Sequence, residues 1–161
     1  MSIAEQKFYT FFDFIKKAFE AVTEELIGEE CGAVNSLIAK NSLQDSNTKV
    51  AIVIGICGNS KGRIVLECNM DTANNFAVAM NFDDPLEDPE DLYLYIAEFA
   101  NMICGRATTY INNEYKEREF WLAPPSVLSA QELEITSESM VENSIYYITK
   151  HGIFLINVGF E

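Results

Sequence analysis

The chain has 161 residues, 48% of them hydrophobic, which is enough to bury the core of one domain without disulfides or metals. Its 11 basic and 25 acidic residues give a formal net charge of −14. This charge argues against nucleic acids and anionic membranes as partners, because their phosphates attract lysine and arginine. It is compatible with a partner that presents a basic patch, or simply with a well-solvated surface. We expect a single domain over residues 1–161.

Cysteine and histidine usage gives no template for a metal site. Cys31, Cys57, Cys68 and Cys104 lie far apart without a CxxC pair, and His151 is the one histidine. We expect reduced thiols, buried at the last three of these cysteines. The N-terminus lacks the pattern of a secretory signal, and no apolar run is long enough to span a membrane. We therefore expect a soluble, cytoplasmic protein.

The first predicted helix runs from about Phe8 to Ile27, with Gly28 as a plausible stop. Its apolar residues recur at helical spacing, which is typical of a helix that packs on a core. They are Phe8, Phe11, Phe12, Ile15, Phe19, Val22 and Leu26. Residues 29–48 give no clear assignment and end in a polar cluster.

Two strands follow, over residues 49–57 and 62–69, and the glycine-containing segment between them predicts a hairpin. Asp71 then has the character of an N-cap for a short helix from Thr72 to about Asn81.

The segment 83–91 contains six acidic residues and two prolines. A calcium loop is one interpretation, but the ligand alternation and central glycine of an EF-hand are absent. Helix initiation explains the same residues, with Asp88 at the N-cap and Pro89 at the first helical position. The long helix that begins there is predicted to end at about Asn112 or Asn113.

The remaining chain is predicted to be mostly strand. Residues 119–123 form one strand, and the following Pro124–Pro125 pair interrupts pairing and suits an edge or a bend. Residues 144–149 and 153–160 form a final hairpin, with His151 in its turn rather than acting as a base. The order of elements predicts an α+β fold, a largely antiparallel sheet on which two long helices and a short helix pack.

Three polar or small residues stand out on the second long helix. Glu98, Asn101 and Gly105 fall close together, opposite an apolar stripe, at about 100° per residue. The Cβ atoms of Glu98 and Asn101 should lie about 5–6 Å apart. Glycine inside a helix costs about 1 kcal/mol relative to alanine, and the close approach of a partner is one reason to accept that cost.

These residues resemble the active-site helix of the CheC/CheX family of chemotaxis phosphatases, and the CheX branch in particular. The strongest match is Glu98-x-x-Asn101-x-x-x-Gly105. Supporting matches are the glycines of the first hairpin, the segment Ala123–Val127 and the turn Thr149-x-x-Gly152. Together they cover most of residues 12–160 in the family's order, which implies a CheX-like fold.

The resemblance implies hydrolysis of the phospho-aspartate of a CheY-like response regulator. Asn101 resembles the asparagine that orients the attacking water, and Glu98 the glutamate that meets the lysine beside the partner's phosphorylation site. The chain should need no cofactor of its own, because the Mg²⁺ belongs to the phosphorylated partner. We expect Gly105 and Thr108, on the same face, to contact the partner.

The resemblance also bears on the number of sites and on assembly. Some family members carry a second Glu-x-x-Asn on the first helix, whereas the candidates here, beginning at Glu20, Glu24 and Glu25, all lack the asparagine. We therefore expect one site per chain. Members of the CheX branch form homodimers through their sheets, which implies a homodimer here.

Two other functions compete with the enzyme. One is a docking module for a response regulator or a flagellar switch component, without hydrolysis, although such a module could dispense with Asn101. The other is a structural dimerisation unit, which predicts an exposed apolar patch. Glu98, Asn101, Gly105, Thr108 and Asn112 instead predict a polar helix face, so the phosphatase is the leading hypothesis.

Overall fold

The computed structural model describes residues 1–34, 43, 48–58, 61–116, 120–131, 133–135, 137 and 139–161. The elements are α1 Ile3–Ile27, β1 Gly32–Ala33, β2 Lys49–Gly58, β3 Gly62–Asn69, α2 Met70–Met80, α3 Asp91–Glu114, β4 Phe120–Leu122, β5 Ser126–Ala130, β6 Val141–Thr149 and β7 Gly152–Phe160. No helix in these ranges combines the length and apolar character that a membrane crossing requires.

The strands form one antiparallel sheet of seven strands, in the order β1-β6-β7-β3-β2-β4, with β5 also paired to β2. β4 pairs with Ile56–Gly58 and β5 with Lys49–Val53, so the two share one edge of β2. The Pro124–Pro125 pair lies between them, as predicted for an interruption. The expected α+β class, with helices packed on an antiparallel sheet, is confirmed.

The core lies between the helices and one face of the sheet. Alternate residues of β2, β3 and β7 are buried against the helices, as the two-residue period of a strand requires; they include Val50, Ile52, Ile54, Ile64, Leu66, Phe154, Ile156 and Val158. Phe99 of α3 lies at the centre, with ring centroids 4.4 Å from Phe76, 5.5 Å from Phe19 and 5.5 Å from Phe154. This aromatic cluster fixes α3 on the sheet.

The other face of the sheet is more polar. Lys49 pairs with Glu67 at 3.3 Å, and Arg63 pairs with Glu142 at 2.6 Å. Trp121 is 65% exposed. The homodimer implied by the resemblance stays a prediction.

The first helix begins five residues earlier than predicted, at Ile3 rather than Phe8. Ser2 and Glu5 form a capping box, in which the Ser2 hydroxyl accepts from the Glu5 amide and the Glu5 carboxylate accepts from the Ser2 amide. This polar signal precedes the apolar stripe, which alone set the predicted start. At the other end, Gly28 caps the helix at φ 70°, as predicted.

Two other helix starts also differ from their predictions. α2 begins at Met70 with Asn69 at the N-cap, so Asp71 lies in the first turn instead of capping it. α3 begins at Asp91, later than predicted from Asp88 and Pro89. Asp88 still acts locally, because its Oδ1 accepts from the Glu90 amide at 2.9 Å.

The turn between α2 and α3 has an unusual backbone. Phe82 and Asp83 both have positive φ, 57° and 62°, which costs a bulky L-residue free energy. The turn is tied to α3 because the Tyr95 hydroxyl donates to the Asn81 side-chain oxygen at 2.7 Å. Phe82 is 92% exposed.

The strand predictions are mostly confirmed. β2, β3 and the final hairpin form where predicted, although β6 begins at Val141 rather than Ser144. The β5 strand was not predicted. The tip of the first hairpin at 59–60, residue 119 of the predicted strand, and most of the unassigned segment 29–48 lie outside the described residues.

The prediction that Cys57 is buried is wrong, because its side chain is exposed on the outer face of β2, opposite Trp121. Cys68 and Cys104 are buried as expected, and desolvation raises the pKa of both thiols. Cys31 is half-buried, and burial also raises the pKa of its thiol.

Candidate active site

The candidate site lies on the outward face of α3. Eight residues of this helix are buried: Leu92, Ile96, Phe99, Ala100, Ile103, Cys104, Ala107 and Ile111. Glu98 and Asn101 project from the opposite side and are both exposed. Leu94, one turn before Glu98, is 70% exposed. The structure therefore places Glu98 and Asn101 side by side on the solvent face of a helix whose other face is fixed in the core.

Both functional groups are available to a partner. Within the described part of the chain, neither Glu98 nor Asn101 forms a hydrogen bond or an ion pair. A free carboxylate accepts hydrogen bonds, whereas a free carboxamide both accepts and donates them. The pair therefore offers two acceptors and one donor group toward solvent from one rigid helix.

Gly105 leaves open space beside this pair. A Cβ atom built at Gly105 would meet no heavy atom within 4 Å outside its own helix backbone. Packing within the described chain therefore gives no reason for glycine here, although alanine would stabilise the helix by about 1 kcal/mol. The space above Gly105 is instead accessible to another molecule.

The face is less polar beyond Gly105 than predicted. The Thr108 hydroxyl oxygen is buried and has no hydrogen-bond partner among the described residues. The Asn112 amide group donates to the Phe120 carbonyl at 2.9 Å, and its oxygen accepts from the Phe120 amide at 3.2 Å. Asn112 thus ties α3 to β4 and is not part of an open surface. The partner contact of Thr108 stays a prediction, and its buried oxygen argues against a role for the hydroxyl.

The first helix contains no asparagine and so no second Glu-x-x-Asn motif. Glu20 accepts from the Tyr147 hydroxyl at 3.1 Å, and Thr23 is fully buried. Glu25 forms two hydrogen bonds with Arg106 of α3. Glu20, Thr23 and Glu25 are therefore used in packing and in contacts with neighbouring elements.

A shallow depression that no sequence pattern indicated adjoins Asn101. It opens over Gly105 on the side of α3 that faces α1. Its lining residues are Asn101, Met102, Gly105, Arg106, Thr109 and Tyr110. Arg106 donates from both Nη atoms to the Glu25 carboxylate, and these bonds lower the pKa of Glu25 and raise that of Arg106. The two residues are 81 positions apart, so no local pattern signals the contact.

Candidate metal ligands do not cluster in the described residues. No three histidine, cysteine, aspartate or glutamate side chains there are placed to hold one ion. The acidic segment 83–91 instead forms the approach to α3.

Comparison with solved structures shows the fold. The chain is similar to the chemotaxis protein CheX of Desulfovibrio desulfuricans, with 23% identity, coverage of 94% of this chain and 99% of that one, and a TM-score of 0.76. CheX of Vibrio vulnificus matches with 18% identity, 94% and 96% coverage, and a TM-score of 0.75. The CheX–CheY–BeF3–Mg²⁺ complex of Borrelia burgdorferi matches with 14% identity, 94% and 97% coverage, and a TM-score of 0.64.

Comparison with curated proteins gives no match. The family model described as "Chemotaxis phosphatase CheX", however, matches residues 50–149, which is more than half of the 161-residue chain. The matched range includes β2 from Val50 onward, β3, α2 and the whole of α3 with Glu98, Asn101 and Gly105. The sequence match and the shared fold lead to one conclusion: the chain belongs to the CheX family of chemotaxis phosphatases.

Proposed function

We propose that this protein hydrolyses the phospho-aspartate of a CheY-like response regulator, and that Asn101 and Glu98 carry the reaction. Membership of the CheX family supports phosphatase activity. The Borrelia burgdorferi structure, in which CheX is in complex with CheY, supports the class of partner. The observation that carries the assignment of residues is the open space above Gly105. It lies next to an exposed carboxylate and an exposed carboxamide, on a helix whose opposite face is buried.

Asn101 positions the attacking water. Its side-chain oxygen accepts a hydrogen bond from the water while its NH₂ group donates to a phosphoryl oxygen. The water attacks phosphorus in line with the bond to the aspartyl oxygen; that bond breaks, leaving an aspartate carboxylate and inorganic phosphate. Because an acyl phosphate has a good leaving group, correct positioning of water supplies most of the catalysis that is needed.

Glu98 holds the partner in register by accepting a hydrogen bond from the lysine beside its phosphorylation site. A charge-assisted bond of this kind is stronger than a neutral one and fixes orientation. We assign the Mg²⁺ to the partner, where it offsets the negative charge of the phosphoryl oxygens. The residues of this chain supply alignment and one positioned water.

The test is the rate of decay of a phosphorylated, Mg²⁺-bound CheY-like regulator with and without catalytic amounts of this protein. We expect faster release of inorganic phosphate.

Glu98→Ala should weaken both binding and turnover, since it removes the contact with the partner's lysine. If Glu98→Ala keeps full turnover, the role of Glu98 is wrong. If the wild-type protein binds the regulators tried but accelerates none of them, the docking module replaces the enzyme.

Gly105→Ala should change stability and activity in opposite directions. The free energy of unfolding should rise by about 0.5–1 kcal/mol, because alanine is the better helix former and the new methyl group meets open space. Turnover of the phosphorylated regulator should fall, because that methyl group occupies the space into which the partner fits. Denaturant unfolding and the phosphate-release assay on one preparation measure both effects. A stabilised variant with full activity would show that no partner approaches Gly105.

A further inference from the structure

The depression beside Asn101 contains a cation that the proposed reaction does not use. Arg106 is the only lysine or arginine in α3. It lies five residues after Asn101, which means a rise of about 7.5 Å and a turn of about 140° around the helix, and both residues line the depression. A partner whose phosphoryl group lies at Asn101 therefore reaches Arg106 with a neighbouring part of its surface, not with the phosphoryl group itself.

The guanidinium group is held in one place. Nη1 donates to Oε1 of Glu25 at 2.6 Å, and Nη2 donates to Oε2 at 2.8 Å. This two-bond geometry fixes the plane of the guanidinium group, so less side-chain freedom is lost when it binds another group. Two of its five N–H donors are used by Glu25, and the remaining three have no hydrogen-bond partner among the described residues. The Arg106 side chain is 29% exposed.

The stability of the fold gives little reason for this ion pair. Glu25 is 55% exposed, and exposed ion pairs add little to the stability of a fold. What the pair does achieve is to hold a cation at the rim of the depression, next to the open space over Gly105. Lys17 adds a second cation there, because its Nζ lies 4.8 Å from the centroid of the Tyr110 ring that lines the depression.

The two ends of the site therefore carry charges of opposite sign. Glu98 gives one end a negative charge. At the other end lie the cations of Arg106 and Lys17, with the carboxylate of Glu25 between α1 and α3, on a chain whose net charge is −14. A partner that meets Glu98 with a cation is complementary to the whole surface only if it also presents an anion over Gly105. Such an arrangement favours one docking orientation over its reverse.

We propose that Arg106 is a specificity-determining residue, which binds a carboxylate on the response regulator adjacent to its phosphorylation site. This inference rests on the proposed function. Arg106 selects and orients the phosphorylated partner, and Glu25 holds its guanidinium group at the rim of the depression. Because Arg106 does not touch the reacting atoms, its loss should raise KM and leave kcat nearly unchanged.

The test is a charge swap that keeps the ion pair. Arg106→Glu, Glu25→Arg and the double variant are compared with the wild-type protein for melting temperature and for kcat and KM with a phosphorylated CheY-like regulator. The double variant restores an ion pair between α1 and α3 but moves the cation onto α1. We expect its melting temperature to return close to that of wild type, while KM stays raised by about tenfold or more. The control for Arg106→Glu is Lys16→Glu, which also replaces a cation by a carboxylate. Lys16 lies on α1 and pairs with Asp13, so this variant should leave KM unchanged.

If the double variant recovers both melting temperature and KM, Arg106 is only structural and the proposal is overturned. Binding of the regulator loaded with beryllofluoride and Mg²⁺ separates this result from a failure of the proposed function. If the wild-type protein binds that regulator without hydrolysing the phosphorylated form, the proposed reaction fails, and weaker binding by the double variant still supports the role of Arg106. If the wild-type protein binds none of the CheY-like regulators tried, both proposals are overturned.

Discussion

Asn101→Ala is expected to lower the stimulated dephosphorylation of a response regulator by about 100-fold or more, since a misplacement of the reacting group by about 1 Å alone can cost this much. The substitution removes both the acceptor for the water and the donor to the phosphoryl group. The fold should be unaffected, because Asn101 is exposed and has no hydrogen bond within the described chain. Substitutions at such positions change stability by about 0.5 kcal/mol or less. The measurement is phosphate release at saturating regulator, together with denaturant unfolding.

Two further variants sharpen this result. Asn113→Ala makes the same change at an exposed asparagine near the end of the same helix and should keep wild-type activity. Asn101→Asp keeps an acceptor but replaces the donor by a negative charge that repels the phosphoryl group, so it should be as inactive as Asn101→Ala. If Asn101→Ala unfolds, Asn101 is structural and the proposed site is wrong. If it stays folded and fully active, another group positions the water.

The sequence was sufficient to predict the helix that carries the site. Eight buried residues repeat at helical spacing along α3, so the direction of its remaining face follows from the rotation per residue. Glu98 and Asn101 lie on that face as predicted. The two hairpins were equally predictable, because each combines alternating apolar residues with a short, glycine-containing turn.

What the sequence did not reveal depends on contacts between distant segments. The β5 strand was missed because it lies at the edge of the sheet, where Val127 and Leu128 are 40% and 42% exposed and no buried period appears. The pairing of Arg106 with Glu25 across 81 positions has no local signal. Asparagine is typical of an exposed surface, yet the NH₂ group and the oxygen of the Asn112 side chain both form hydrogen bonds with the backbone of β4. The chemistry of a helix face is therefore predictable from the chain, whereas the neighbours that close part of that face are not.

The turn between β6 and β7 shows that part of the resemblance to chemotaxis phosphatases concerns the fold. The Thr149 hydroxyl accepts from the His151 amide at 3.1 Å and donates to the Gly152 carbonyl at 3.0 Å. Gly152 has φ 137°, and a Cβ there would lie 2.0 Å from Oγ1 of Thr72 in α2. The glycine thus lets the turn pack directly against the start of a helix.

Gly152→Ala is accordingly expected to lower the free energy of unfolding by about 3 kcal/mol or more, as the sum of backbone strain and overpacking. Denaturant unfolding measures the loss. Adding Thr72→Ala removes two of the three closest contacts, so in that background the same glycine substitution should cost about 1–2 kcal/mol less. Gly32→Ala, where a Cβ meets nothing within 4 Å, is the control and should have little effect.

The substituted turn contacts α2, whereas Glu98 and Asn101 lie on α3, so phosphatase activity per folded molecule should be retained. A loss of activity without a loss of stability would instead place this turn in the site.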